Sequence, residues 1–168
     1  MGAYKAMLDK AVPQSVTITV NEWAHPELHA YDLLERSRLD VRSADRAYTF
    51  DVDLPAPGGK IIALLPKEIG GVKVEAPESM RERAVAQQIH VTVFDADGVP
   101  LAGAQPVRVR ITDPKGAVSE FSDYYAAESG RLTVAFTPAA NDAAGRWRVE
   151  AEELMSGLRG EAHFTVGE

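Results

Sequence analysis

Few side chains in this sequence are spaced for chemistry. The sharpest local group is His25-Pro26-Glu27-Leu28-His29. Two histidines four positions apart can share a metal on a helix, and here a glutamate stands between them. A zinc-hydrolase pattern needs that glutamate directly after the first histidine, where it serves as general base. Pro26 holds that place instead. If the segment is extended, the two histidines stand about 13 Å apart at roughly 3.3 Å per residue, too far to share one ion. The residues favour a loop histidine followed by a strand histidine, and no metal site is expected.

Asp95-Ala96-Asp97-Gly98 invites a calcium reading. A helical calcium loop would continue with further oxygen ligands and a distal glutamate. Val99, Pro100 and Leu101 follow, so the segment reads as a tight turn. Asp51 and Asp53 alternate with apolar residues and share the outward side of one strand. Glycoside hydrolysis needs two carboxylates across a cleft, about 5–10 Å apart, in environments that separate their roles. Neighbours on an open strand have no such separation and read as a solvated face. No nucleophile elbow, phosphate loop or dinucleotide glycine pattern occurs. The absence of cysteine removes disulfides, thiolate metal sites and cysteine nucleophiles. No catalytic residue and no cofactor is assigned, and the chain is not expected to be an enzyme.

What remains is recognition chemistry. Arg108 and Arg110 share the outer side of one expected strand, Arg146, Arg148 and Glu150 that of another, and Glu161 and His163 that of the last. If these strands are neighbours, they make a ladder of cross-strand charge pairs. Such a ladder is either a solvent face, whose pairs each contribute little, or a surface for an anionic glycan or a protein partner. Aromatic rings offer a second route, because they stack on the apolar faces of sugars. Trp23 falls in a loop, and the adjacent Tyr124 and Tyr125 must point to opposite sides of an extended strand. Trp23, Tyr124 and Tyr125 are therefore the candidate sugar-stacking residues. Trp147 falls on the inward register and reads as core.

These residues need elements to hold them. Tyr4, Met7, Leu8 and Val12 match one face of a short helix, which Pro13 would end. Val16, Ile18 and Val20 alternate with Thr17 and Thr19 as a half-buried strand. Leu28 to Leu34 suggests a second strand, Tyr48 to Leu54 a third and Lys60 to Leu65 a fourth. Ile69-Gly70-Gly71 looks like a hinge. Beyond it, short alternating segments recur at roughly 8–12-residue spacing, closed by turns such as Asp97-Gly98 and Asp113-Pro-Lys-Gly116. Ile89, Val91 and Val93 face inward, as do Val107, Val109 and Ile111, then Leu132, Val134 and Phe136, then Trp147, Val149 and Ala151. Phe164 and Val166 close the chain.

Composition bounds the function. With 45% hydrophobic residues in 168, a packed core is available. The net charge of −7 argues against nucleic-acid binding, which needs many cations against phosphate. No run approaches the roughly 18 apolar residues of a membrane span, so no membrane insertion is expected.

From VTVFDADGVPLAG through TDPKG to FTPAANDAAGRWRVEAEELMSGLRGEAHFTV, the sequence resembles bacterial immunoglobulin-like and macroglobulin-type domains. The resemblance covers roughly residues 72 to 168 and implies a fold rather than a chemistry. AYDLLERSRLDV and FDVDLPAPGGKIIALLP resemble the small β-domain that follows the catalytic barrel in bacterial glycoside hydrolases. The sequence departs from that pattern at Glu35-Arg36-Ser37, where a turn glycine is usual. Together these likenesses imply the noncatalytic C-terminal region of a larger, extracytoplasmic glycosidase-like protein. Its first partner would be the catalytic domain upstream in the same polypeptide, and a polysaccharide would be a second. A carbohydrate-binding module and a protein–protein adhesion module are the alternatives. The expected architecture is all-β, with two small sandwich-like units, the second immunoglobulin-like, and a short N-terminal helix. The expected divisions are 1–13 for the helix, 14–70 for the small β-domain and 71–168 for the sandwich.

Overall fold

A computed structural model of the protein describes residues 11–45 and 47–167. The chain divides into two compact units, one ending at Lys67 and the other beginning at Glu68. The expectation of an N-terminal helix is corrected: no described residue is helical, and residues 11–13 run without regular structure straight into a strand. A helix of so few residues gains little from its own hydrogen bonds, and Pro13 leads into extended chain. The rest of that segment lies outside the described residues.

Among the described residues the first unit holds six strands: β1 (Gln14–Val20), β2 (His29–Asp32), β3 (Ser37–Arg38), β4 (Arg42–Ala44), β5 (Ala47–Leu54) and β6 (Ile62–Leu65). They form two three-stranded sheets, in the orders β1-β5-β4 and β3-β2-β6. Alternation decides the packing. Val16 lies opposite Val52 and Ile18 opposite Phe50 across the antiparallel β1–β5 pair. Phe50 and Val52 are buried with Leu28 and Ala30 to make the core. β2 is buried along its whole length. At its end Asp32 turns the chain: its carboxylate accepts the N–H groups of Leu34 and Glu35 at 2.9 and 3.1 Å and meets Lys60 Nζ at 2.7 Å. Arg36 takes a left-handed φ of 52° in this turn, at the place where a glycine would have been easier.

The second unit holds β7 (Ile69–Glu75), β8 (Ser79–Met80), β9 (Gln87–Asp95), β10 (Ala104–Thr112), β11 (Asp123–Glu128), β12 (Arg131–Phe136), β13 (Gly145–Glu153) and β14 (Arg159–Val166). The hydrogen-bonded order is β7-β9-β12-β11-β10-β13-β14-β8. β11 pairs with β10 from Ala104↔Glu128 to Val109↔Asp123 but meets β12 only at Glu128↔Arg131. The ribbon therefore folds over there into two layers. Leaving aside short β8, the order is that of an immunoglobulin-type Greek key. Ile89, Val91 and Val93 from one layer and Val107, Val109, Ile111 and Val149 from the other are all buried. Phe136 is the centre of an aromatic cluster, with ring centroids 5.1 Å from Phe164, 5.2 Å from Phe121 and 5.4 Å from Trp147.

Gly70 and Gly71 lie inside β7 rather than at a hinge. The ladder shifts register between Ile69 and Gly71. A Cβ on Gly70 would stand 2.3 Å from the Asp95 carbonyl oxygen, and one on Gly71 would stand 2.6 Å from the Phe94 ring. The pair lets β7 approach β9 at a bulge. Gly160 plays a similar part at the other seam, where a Cβ would fall 2.4 Å from the Val72 carbonyl oxygen. β14 thus lies directly on the β7 backbone.

Candidate functional site

The outer sides of β10, β13 and β14 carry the charged residues of the second unit. Register sets Arg108 opposite Glu152 and Arg110 opposite Glu150, and Glu150 opposite Glu161 and Arg148 opposite His163. Two glutamates directly opposite would repel. Arg148 relieves this by reaching both, at 2.7 Å each. The hydrogen bonds and charge of Arg148 hold the Glu161 carboxyl below its usual range, and Glu161 in turn raises the Arg148 guanidinium. Arg159 reaches Glu152 at 3.4 Å and Glu150 at 3.7 Å. Arg108 pairs with Glu152, which is buried.

Arg110 differs. Its register partner Glu150 is engaged by Arg148 and Arg159, and among the described residues no carboxylate forms an ion pair with Arg110. Beside it lies Tyr124 on β11, directly opposite Arg108 and 63% exposed. These side chains, with Val109, Val118, Ser122 and Asp123, line a shallow pocket of about 230 Å³. Asp123 keeps its own carboxylate on the Tyr124 N–H at 2.8 Å. An exposed ring, an exposed valine and an unpaired guanidinium thus share one depression. Chemically it offers an apolar platform and a fork of donors for a planar anion.

Of the recognition residues read from sequence, Arg108, Arg110 and Tyr124 come together here. Arg148 sits further along the ladder, and Arg146, exposed, lies opposite Thr165. Tyr125 is half-buried and opposite Val107, and its hydroxyl donates to the Phe121 carbonyl at 3.0 Å. Burial pushes its phenol pKa up, and Asp123 adds to the shift. Trp23 belongs to the first unit, packed half-buried on its core. Its ring N–H donates to the Glu27 carbonyl at 2.7 Å, and its ring meets His25 edge-on at 5.6 Å. Val118 was not foreseen, since an exposed valine in irregular chain has no sequence signature.

Asp95 and Asp51, singled out from the sequence, have structural tasks. The Asp95 carboxylate accepts the N–H groups of Asp97 and Val99 at 3.0 and 2.8 Å, so it holds the turn. Asp51 accepts from Thr17 at 2.6 Å and Arg42 at 2.8 Å. These bonds, Thr17's first, keep its carboxyl below its ordinary value against the opposing effect of desolvation. His25 is exposed in a loop, while His29 is buried on β2 with its Nε2 3.4 Å from Glu27. Among the described residues, no three histidine or acidic groups gather to hold a metal ion. Sequence reasoning missed Glu153, which is fully buried. It accepts the N–H groups of Met155 and Ser156 at 3.0 and 2.8 Å and the Ser156 hydroxyl at 2.6 Å. A signal was present: Glu153 continues the inward register of Trp147, Val149 and Ala151.

Fold and face define an immunoglobulin-like module with a charged outer sheet. The macroglobulin-like domain model matches residues 75–166, more than half of the chain. The chain belongs to that family. No curated protein matches it. Among solved structures it is similar to a chimeric titin Z1Z2-Z1Z2 tandem functionalized with a GRGDS exogenous peptide from fibronectin. The identity is 8% and the TM-score 0.35, over 94% of this chain and 91% of that one.

Proposed function

We propose that this chain is a noncatalytic accessory module of a larger protein, and that its second unit engages a carboxylate-bearing partner protein at Arg110 and Tyr124. One observation carries the reading: within a ladder whose neighbouring arginines are paired, Arg110 has no acid and stands beside an exposed aromatic ring. An unpaired guanidinium and an exposed tyrosine are the residue types that anchor interfaces. Arg110→Ala and Tyr124→Ala lie outside the core and leave the fold intact. In a pull-down against the protein's own upstream region, each is expected to weaken capture about tenfold. Unchanged capture by both variants would reject the site.

The likeness of residues 30–41 and 50–66 to post-barrel β-domains supports a finer placement, behind the catalytic domain of an extracytoplasmic glycosidase-like protein. The content of the open reading frame upstream of this segment tests it. A second reading is carbohydrate binding at Tyr124, the most exposed of the three candidate rings Trp23, Tyr124 and Tyr125. The exposure of Tyr124 favours it, and Arg110 would select acidic sugars. Affinity electrophoresis in polygalacturonate and in a neutral glucan separates the two readings. Retardation lost in Tyr124→Ala supports the sugar, and migration unchanged in both gels supports the protein.

A further inference from the structure

β1 is an end strand of the sheet β1-β5-β4, so among the described residues one of its long edges faces no other strand. Among the described residues, no backbone hydrogen bond other than those to β5 involves β1. Open edges recruit other chains, and proteins blunt them with short strands, proline or charge. The other edges of this unit are blunted. β3 and β4 have two and three residues and each carries an arginine, and β6 has four residues and is stopped by Pro66. Among the described residues β1 is the long edge strand of this unit: although Pro13 precedes it, its seven residues, Gln14-Ser-Val-Thr-Ile-Thr-Val20, carry no charge and no proline.

The strand also matches itself. Paired antiparallel with a second copy about Thr17, Val16 meets Ile18, Ser15 meets Thr19 and Gln14 meets Val20. On the inner side Val16 and Ile18 fall on each other and only the outermost pair, Gln14 with Val20, is mixed, while on the outer side hydroxyls fall on hydroxyls. No like charges meet. A cost is also visible in the isolated unit. Val16, Ile18 and Val20 are only half-buried, although their partners Val52 and Phe50 across β5 are fully buried. An edge strand leaves one flank of such side chains open, and a neighbouring strand would cover it.

We infer that β1 joins β1 of a second copy of this chain, making one continuous six-stranded sheet across a two-fold axis at Thr17. The contact is isologous, so it closes as a dimer and does not propagate. It is independent of the Arg110 site, which lies in the other unit.

The test is sedimentation equilibrium of the whole chain, with variants on exposed Ser15 and Thr19. The parent is expected to dimerise. Ser15→Lys with Thr19→Lys sets lysines opposite lysines and should weaken dimerisation about tenfold or more. Ser15→Glu with Thr19→Lys sets opposite charges in the same places and should retain the dimer. Since the chain has no cysteine, Thr17→Cys adds a lone thiol. Residues directly opposite in an antiparallel pair stand about 4.5–5.5 Å apart at Cα, within reach of a disulfide. Mild oxidation should cross-link Thr17→Cys, while Ser15→Cys, offset from its twin by about 13 Å, should stay uncross-linked. A parent that stays monomeric at every loading, a dimer indifferent to paired lysines, or equal cross-linking by both thiols would each overturn the inference.

Discussion

The two units solve one problem with the same device and different company. Each ends a buried strand with an acid whose carboxylate takes the N–H groups two and three residues ahead. In the first unit Asp32 takes those of Leu34 and Glu35, and in the second Glu153 takes those of Met155 and Ser156. Asp32 adds Lys60 at 2.7 Å, whereas Glu153 adds the Ser156 hydroxyl at 2.6 Å. Among the described residues the core cluster of the first unit has four buried apolar residues, while the second unit buries many more apolar side chains and an aromatic cluster. A small unit removes a smaller share of its surface from water. It therefore leans more on polar closure, and the second unit on packing.

That contrast can be broken from either side, and the chain supplies one tryptophan reporter per unit, Trp23 and Trp147. The largest effect is expected at Phe136→Ala. Removing a fully buried ring from the centre of the aromatic cluster should cost the second unit about 4 kcal/mol. Urea unfolding followed by Trp147 fluorescence in a Trp23→Phe background measures it, and a loss under about 1 kcal/mol would mean that packing does not dominate there.

Next comes Asp32→Asn, which leaves Lys60 only its exposed partner Glu35 and weakens the charge-assisted bonds to the turn, and should cost the first unit about 2–3 kcal/mol. Burial pushes the Asp32 carboxyl up, but the bonds from Lys60, Glu35 and Leu34 outweigh this and hold it below its ordinary 3.8. A carboxyl lowered by folding contributes stability above its unfolded value, and that contribution is lost as pH falls through the folded one. The first unit should therefore weaken below about pH 4, and Asp32→Asn should flatten that dependence. Hydrogen exchange of β2 amides across this range checks both statements.

The smallest effect is expected at Gly160→Ala. The new Cβ would press on the Val72 carbonyl oxygen and force β14 off β7, at a cost of about 2 kcal/mol. A thermal melt of the second unit reads it. An unchanged midpoint would show that the seam yields without strain.

Much of the second unit was legible because its signal is local. Val107, Val109, Ile111, Trp147, Val149 and Phe164 are buried as their alternation requires. Asp113-Pro-Lys-Gly116 does turn the chain, with the Gly116 N–H on the Asp113 carbonyl at 3.0 Å. Other features resisted reading. The glycine pair at 70 and 71 looks the same whether it bends a linker or admits a neighbouring strand, and only the position of Asp95 and Phe94 separates the two. Arg36 sits in a left-handed turn that Asp32 holds from within and Lys60 braces from the approach to a distant strand. Of the helical spacing near the N-terminus only residues 11–13 are described, and they are not helical.

The sequence by itself determined which side chains turn inward, where the chain reverses and which family the second unit joins. These depend on a period of two residues and on turn chemistry, both written in neighbouring positions. Only the tertiary structure decided that Arg110 lies beside Tyr124 with its register partner already engaged, and that β1 is left with an open flank. Both depend on which strands become neighbours. That choice is made by closing distant segments around a shared core, and no short stretch of sequence encodes it.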